Sequence, residues 1–280
     1  MTIGRSPSKL VGRRVLITGA SRGIGEALAD ACAAEGAAVS LVARTEDALH
    51  AVADRLGGSA HVADLAEPEQ VAALIDRVES TDGPIDVLIN NAAIESAVGF
   101  TDVSAEHLRA VTQVNYLAPA ELCRQLVPRM LRRGGGHIVN VSSMGSCLAF
   151  PGNVAYSASK AALSQFTAGL RADLRGLPVG TTLVALGTVP TDMLAESESY
   201  LPMARSYHRL RRMALLKNVS REKVAHEVVR AVANRRRYVF LPRRSADVPL
   251  IAEIPRVTLE LLLTGIPHQA ETAGRSAPDV

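Results

Sequence analysis

The chain of 280 residues has no tryptophan, and aromatic residues make up only 3% of it. Base-stacking platforms and the aromatic surfaces that grip sugars are therefore not expected. A surplus of charge is missing too: 31 Lys and Arg against 28 Asp and Glu leave a net +3, too little for the basic footprint of a nucleic-acid binder. Small molecules are the expected partners. Cysteine is scarce. Cys32, Cys123 and Cys147 are widely spaced and fall in no CxxC or histidine-paired pattern, so neither a disulfide framework nor a metal site is expected, and a reducing cytoplasm fits. No apolar run is long enough to span a bilayer. Val248 to Ile266 is broken by Pro249, Glu253, Pro255, Arg256 and Glu260, and Met1 to Arg14 has no stretch of signal-peptide character. The N-terminal segment and the polar residues after about Pro267 are expected to fray.

What remains is an apolar content of 48%, carried by Ala, Val and Leu, enough for one sizeable core. Short β-type runs alternate with helical periodicity. Strands are predicted at Arg13–Thr18, Ala37–Ala43, Ser59–Ala63, Ile85–Asn90, His137–Ser142, Thr181–Leu186 and Arg237–Leu241. Between them come helices Gly23–Glu35, Glu46–Leu56, Glu67–Ser80, a long one over Ser104–Arg133, Ala155–Gly176 and Arg221–Asn234, with a mixed segment Thr191–Lys217. Gly36 stands where a residue able to take positive φ ends the first helix. Near-continuous Val, Ile and Leu runs mark strands buried on both faces, and right-handed crossovers then place helices on both sides of one parallel sheet. The expectation is a single α/β domain, a doubly wound Rossmann-type sheet of about seven strands spanning residues 10–245, with a lid at 191–217 and a C-terminal extension at 246–280.

The first strand runs into Thr18-Gly19-Ala20-Ser21-Arg22-Gly23-Ile24-Gly25 and then directly into helix. Side chains at the glycines would block approach of a pyrophosphate, while the amides and dipole of the helix start favour its charge. The spacing is TGxxxGxG rather than GxGxxG, and with it the chain resembles the short-chain dehydrogenase/reductase family. Further segments carry the resemblance: Asn90-Asn91-Ala92-Ala93, with Ala93 in place of a glycine; Val141-Ser142-Ser143; Tyr156-Ser-Ala-Ser-Lys160, with Ser143 thirteen residues before Tyr156; and Asn115. They cover about residues 10 to 245.

The resemblance implies a nicotinamide dinucleotide held by Gly19, Ser21, Arg22, Gly23, Ile24, Gly25, Asn91 and Ala92. Asp64 and Leu65 resemble the adenine contact, although Asp64 could equally cap the helix that follows. Leu186-Gly187-Thr188-Val189-Pro190-Thr191 resembles a nicotinamide-contact segment, with Leu186 in place of a proline, and implies that Val189 and Thr191 meet the carboxamide. An acid at the end of the second strand would bind both ribose hydroxyls of NAD, but Val42-Ala43-Arg44 has none there. Arg44 and Arg22 instead offer charge-assisted donors to a 2′-phosphate, so NADP(H) is the expected cofactor ahead of NAD(H).

Tyr156 and Lys160, four apart on a helix, project from one face. Carbonyl reduction needs a proton delivered to the nascent alkoxide, and a lysine ammonium about 5 Å from the phenol would lower its pKa by about 2 units from near 10. By resemblance Lys160 would also hold the nicotinamide ribose, Ser143 the substrate oxygen and Asn115 a relay water. Met193, Leu194, Tyr200, Leu201, Met203, Tyr207, Leu210, Met213, Leu215 and Leu216, joined by Met144, Leu148 and Phe150, suggest an apolar lid over a bulky steroid-, retinoid- or lipid-like alcohol or ketone. A basic stripe of Arg205, His208, Arg209, Arg211, Arg212 and Lys217 would suit the phosphates of an acyl-thioester carrier and makes a 3-oxoacyl-thioester reductase the second reading. A third reading is a non-catalytic NADP(H) sensor or scaffold. Arg235, Arg236 and Arg237 allow at most weak contact with an anionic membrane. The resemblance also implies a homodimer or homotetramer assembled through helices near residues 104–133 and 155–176.

Overall fold

A computed structural model describes residues 10–243. The expectations for the N-terminal segment, for the extension at 246–280 and for the polar end after Pro267 lie outside the described residues. Seven parallel strands form one sheet in the order β3-β2-β1-β4-β5-β6-β7: β1 Arg14–Thr18, β2 Ala38–Ala43, β3 Ser59–Val62, β4 Val87–Asn90, β5 Gly136–Ser143, β6 Val179–Leu186 and β7 Tyr238–Leu241. Their apolar runs are buried as expected, with Leu16, Ile17, Leu41, Leu88 and Ile89 shielded from solvent on both faces. Helices α1 Gly23–Ala34, α2 Glu46–Leu56 and α9 Arg221–Ala233 pack one core against the sheet. Helices α3 Pro68–Asp82, α5 Ala118–Arg132 and the lower part of α6 Val154–Asp173 pack the other. The strand order reverses between β1 and β4, and the connections leaving their carboxyl ends diverge to leave a crevice.

Two predicted elements differ from the structure. The single helix over 104–133 is divided into α4 Ala105–Thr112, a π-helical turn Gln113–Leu117 and α5. Pro119 has no N–H to give the carbonyl of Asn115, and the backbone widens so that Ala118 N–H reaches Gln113 instead. The mixed segment after β6 is two helices, α7 Asp192–Ser199 and α8 Leu201–Arg212, joined at Tyr200. Asp64 does not cap α3, whose N-cap position is held by Glu67; it closes a tight turn through Ala66 N–H, 2.9 Å from its Oδ1.

Arg235 and Arg236 are occupied within the fold: Arg235 donates to Pro178 O at 2.7 Å, and Arg236 pairs with Glu227 at 3.1 Å. No helix among the described residues is long and apolar enough to cross a membrane, and no cluster of metal-ligating side chains occurs among them. Cys32 and Cys123 are buried, and burial pushes both thiols up to about 12.

Candidate active site

The crevice at the strand-order reversal opens into a cavity of about 920 Å3. At one end lies the turn between β1 and α1. Gly19 takes φ +67°, and a Cβ there would sit 2.8 Å from Ala92 Cα; a Cβ on Gly25 would overlap the carbonyl oxygen of Gly19. The turn is thus pressed flat against the segment after β4, leaving a groove that backbone alone can line. Arg22, the N-cap of α1, makes no side-chain cap, so the first amides of the helix face the cavity mouth free to meet an anion. A dinucleotide pyrophosphate fits this cradle by shape and charge.

Thr18, which sequence reasoning left unassigned, fastens the two diverging segments. Its hydroxyl accepts from Asn91 N and Ala92 N, both at 3.1 Å, and the Asn91 side chain donates back to Thr18 O at 3.0 Å. Gly19, Ser21, Arg22, Gly23, Ile24, Gly25, Arg44, Asp64, Leu65, Asn91, Ala92, Ser143, Tyr156, Lys160, Val189 and Thr191 all line this one cavity. The segment after β6, despite Leu186 in place of proline, is fixed from outside: Val219 N donates to Thr188 O at 3.0 Å and Thr188 Oγ1 to Asn218 at 2.7 Å. Arg22 and Arg44 both face carboxylates, Asp192 at 2.8 Å and Asp64 at 3.8 Å.

Asn115 is the exception among the expected residues. It is fully buried in the π-helical turn and does not line the cavity. Its Oδ1 accepts from Ile94 N at 2.9 Å, and its Nδ2 donates to Ile94 O at 3.0 Å and Ser159 Oγ at 3.1 Å. It clasps the loop after β4 to α6.

Helix α6 is set against β5 by a polar ladder that the sequence pattern did not single out. Asn140 receives Asn90 Nδ2 and donates to Thr167, each at 2.8 Å, while Ser142 Oγ bonds Lys160 O at 3.0 Å and Ser164 at 2.8 Å. This ladder fixes the rotation of α6, and with it the aim of Tyr156 and Lys160. Lys160 is buried, donates from Nζ to Val141 O at 2.9 Å and lies 5.7 Å from the centre of the Tyr156 ring. Ser143 hydrogen-bonds Tyr156, takes Gly145 N–H at 3.0 Å and is braced against Leu186 O.

The expected lowering of the Tyr156 pKa is not found. Burial drives the phenol upward and the nearby Glu95 adds to this, outweighing the opposing hydrogen bond from Ser143. Lys160 moves down to about 8, again through burial, with Glu95 opposing. Bare Coulomb attraction suggested the reverse for tyrosine, but desolvation in a closed pocket penalises the phenolate more than a lysine held to a carbonyl relieves it. Glu95 itself was missed, since a Glu in the segment after a strand reads as a surface charge.

Of the lid residues, Met193, Leu194, Tyr207, Leu210, Leu215 and Leu216 line the cavity together with Met144, Leu148 and Phe150. Phe150 and Tyr207 meet edge to face at 5.3 Å. Met203 is buried beneath the lid, Tyr200 packs on Gly152, and Leu201 and Met213 are exposed, so these four do not line the cavity. Arg205, His208, Arg209 and Arg212 share a separate groove on α8, while Arg211 turns to Glu198.

Residues 13–201 match the family model for short chain dehydrogenases. The chain belongs to the short-chain dehydrogenase family. This dehydrogenase is 36% identical over 233 residues to the ketoacyl reductase HetN of a Nostoc species, covering 81% of this chain and 77% of that one. Among solved structures it superposes on a short-chain dehydrogenase/reductase from Burkholderia phymatum in complex with NAD, with a TM-score of 0.76 and 28% identity over 96% of this chain and 99% of that one. It also superposes on a putative NAD(P)-dependent gluconate 5-dehydrogenase from Beutenbergia cavernae with bound NADP, with a TM-score of 0.75 and 32% identity over 84% of this chain and 97% of that one. Similar folds thus bind either dinucleotide, and the family alone does not choose between them.

Proposed function

We propose that this short-chain dehydrogenase interconverts a carbonyl and an alcohol on a bulky apolar substrate, using NADP(H). The carrying observation is that Ser143, Tyr156 and Lys160 share one cavity with the backbone-lined phosphate cradle at one end and the apolar lid wall at the other. The dinucleotide supplies or accepts the hydride when bound. Tyr156, held protonated by burial, delivers the proton that turns a nascent alkoxide into alcohol. Ser143 orients the carbonyl oxygen toward that phenol, and Lys160, charged below about 8, holds positive potential beneath it. Val189 and Thr191 would meet the carboxamide, and Asp64 and Leu65 the adenine. Arg22 and Arg44, both on the cavity rim, exchange their carboxylate partners for a 2′-phosphate, which supports NADP(H) over NAD(H). The proposed assembly is a homodimer or homotetramer working in the cytoplasm.

A panel of apolar ketones and aldehydes with NADPH or NADH, followed by loss of reduced-nicotinamide absorbance, tests this. Turnover that is lower by about a thousandfold in Tyr156→Phe, with NADPH binding kept, is the expected result. A preference for NADH would refute the assignment of Arg22 and Arg44.

One observation favours a second reading, a 3-oxoacyl-thioester reductase. The groove of Arg205, His208, Arg209 and Arg212 on α8 could receive the phosphates of a thioester carrier, and a relative is named as a ketoacyl reductase. Acyl thioesters in the same panel separate the two. A non-catalytic sensor would bind NADPH and turn over none of these compounds.

A further inference from the structure

Glu95, on the loop after β4, is only 6% exposed, yet it lines the cavity alongside Tyr156 and Lys160. A carboxylate in such a place is expensive unless its oxygens are fully bonded. Here they are not. Oε1 accepts Ser96 N–H at 3.0 Å and Oε2 accepts the hydroxyl of Ser197, on lid helix α7, at 2.7 Å. Each oxygen therefore has a single protein partner, and the charge of Lys160 acts on the carboxylate from beyond ion-pair distance. The Ser197 hydroxyl also lies 2.9 Å from Met193 O, so it is already shared within its own helix.

Glu95 takes no part in the proposed hydride and proton transfers, and as a carboxylate it accepts, so the partner it lacks is a donor.

We propose that Glu95 is a substrate-recognition residue that accepts a hydrogen bond from a hydroxyl on the apolar substrate, away from its reacting carbon. The substrate class is then a hydroxylated ketone, or in the reverse direction a diol, on a bulky carbon skeleton. The assignment rests on the carbonyl–alcohol reading above and narrows it.

The test uses pairs of bicyclic and steroidal ketones that share a carbon skeleton and differ by one hydroxyl, reduced with NADPH. For at least one pair, kcat/KM of the wild type is expected to favour the hydroxylated member by about tenfold or more, the scale of a hydrogen bond to a charged acceptor. Glu95→Leu should bring that ratio to about one. Should Glu95→Leu not bind NADPH, Glu95→Gln decides, with a several-fold drop in the ratio expected. A wild type that reduces the deoxy member of every pair equally well overturns the recognition role and leaves the carbonyl chemistry standing. A ratio that survives in both Glu95 variants does the same. No turnover of any ketone, despite NADPH binding, overturns both readings together.

Discussion

Lys160 is held by burial at a pKa of about 8, close to the working range, rather than near the 10.5 of a free lysine. Its charge is present below that value and lost above it. The rate of carbonyl reduction, read as kcat/KM against pH, is therefore expected to stay level up to about 8 and fall beyond it. A profile flat through 10 would separate the lysine charge from the chemistry. Tyr156 and Lys160 were legible in the sequence because their spacing matches a helix face and a known pattern. Their protonation was not, because it depends on how completely α6, the lid and the loop after β4 exclude water. Glu95 was invisible for the same reason: nothing in Ile94-Glu95-Ser96 says that the loop turns inward, whereas the clasp from Asn115 to Ile94 draws it there.

The turn between β1 and α1 and the π-helical turn before α5 are the two elements that shape the site. Gly25→Ala places a methyl group against the Gly19 carbonyl, so the turn must open. NADPH affinity, followed by fluorescence titration, is expected to drop by about tenfold or more as phosphate contacts are lost. Asn115→Ala leaves the part-buried N–H and C=O of Ile94 without these partners, and a destabilisation of about 1–2 kcal/mol in urea unfolding is expected. An unchanged urea midpoint would show the clasp to be dispensable. The glycine spacing announced the first element. The second was readable only in part: Pro119 marks a missing donor four residues after Asn115, but a long helix with a tolerated proline and a widened turn look alike until the Asn115 side chain is seen to clasp Ile94.

At the scale of the molecule, the sheet carries a buried histidine whose protonation the fold resists. His137 on β5 bonds Thr182 of β6 at 2.8 Å, leaves Nδ1 unpartnered, and is pushed down to about 4 by burial, with Arg235 adding to the shift. The unfolded chain takes up this proton near 6.5 and the folded chain near 4, so between these values the unfolded state binds more protons. Stability is expected to fall as pH drops through that window, by up to about 3 kcal/mol, with no contribution above it. Urea unfolding at neutral and mildly acid pH checks this, with His137→Gln flattening the dependence. Strand order, helix layering and the crevice were foreshadowed by alternating β and helical runs, because continuous apolar strands joined by helical crossovers have few ways to bury both faces. The sequence by itself thus determined the parallel doubly wound sheet, the glycine turn between β1 and α1, and the spacing of Ser143, Tyr156 and Lys160 that brings them to one cavity, since each follows from short-range pattern. Only the tertiary structure decided how α7 and α8 roof the cavity, which lid residues face it, and that Glu95 stands buried in its wall. Those outcomes depend on contacts between segments far apart in the chain, and burial, which sets both packing and charge, has no local signature.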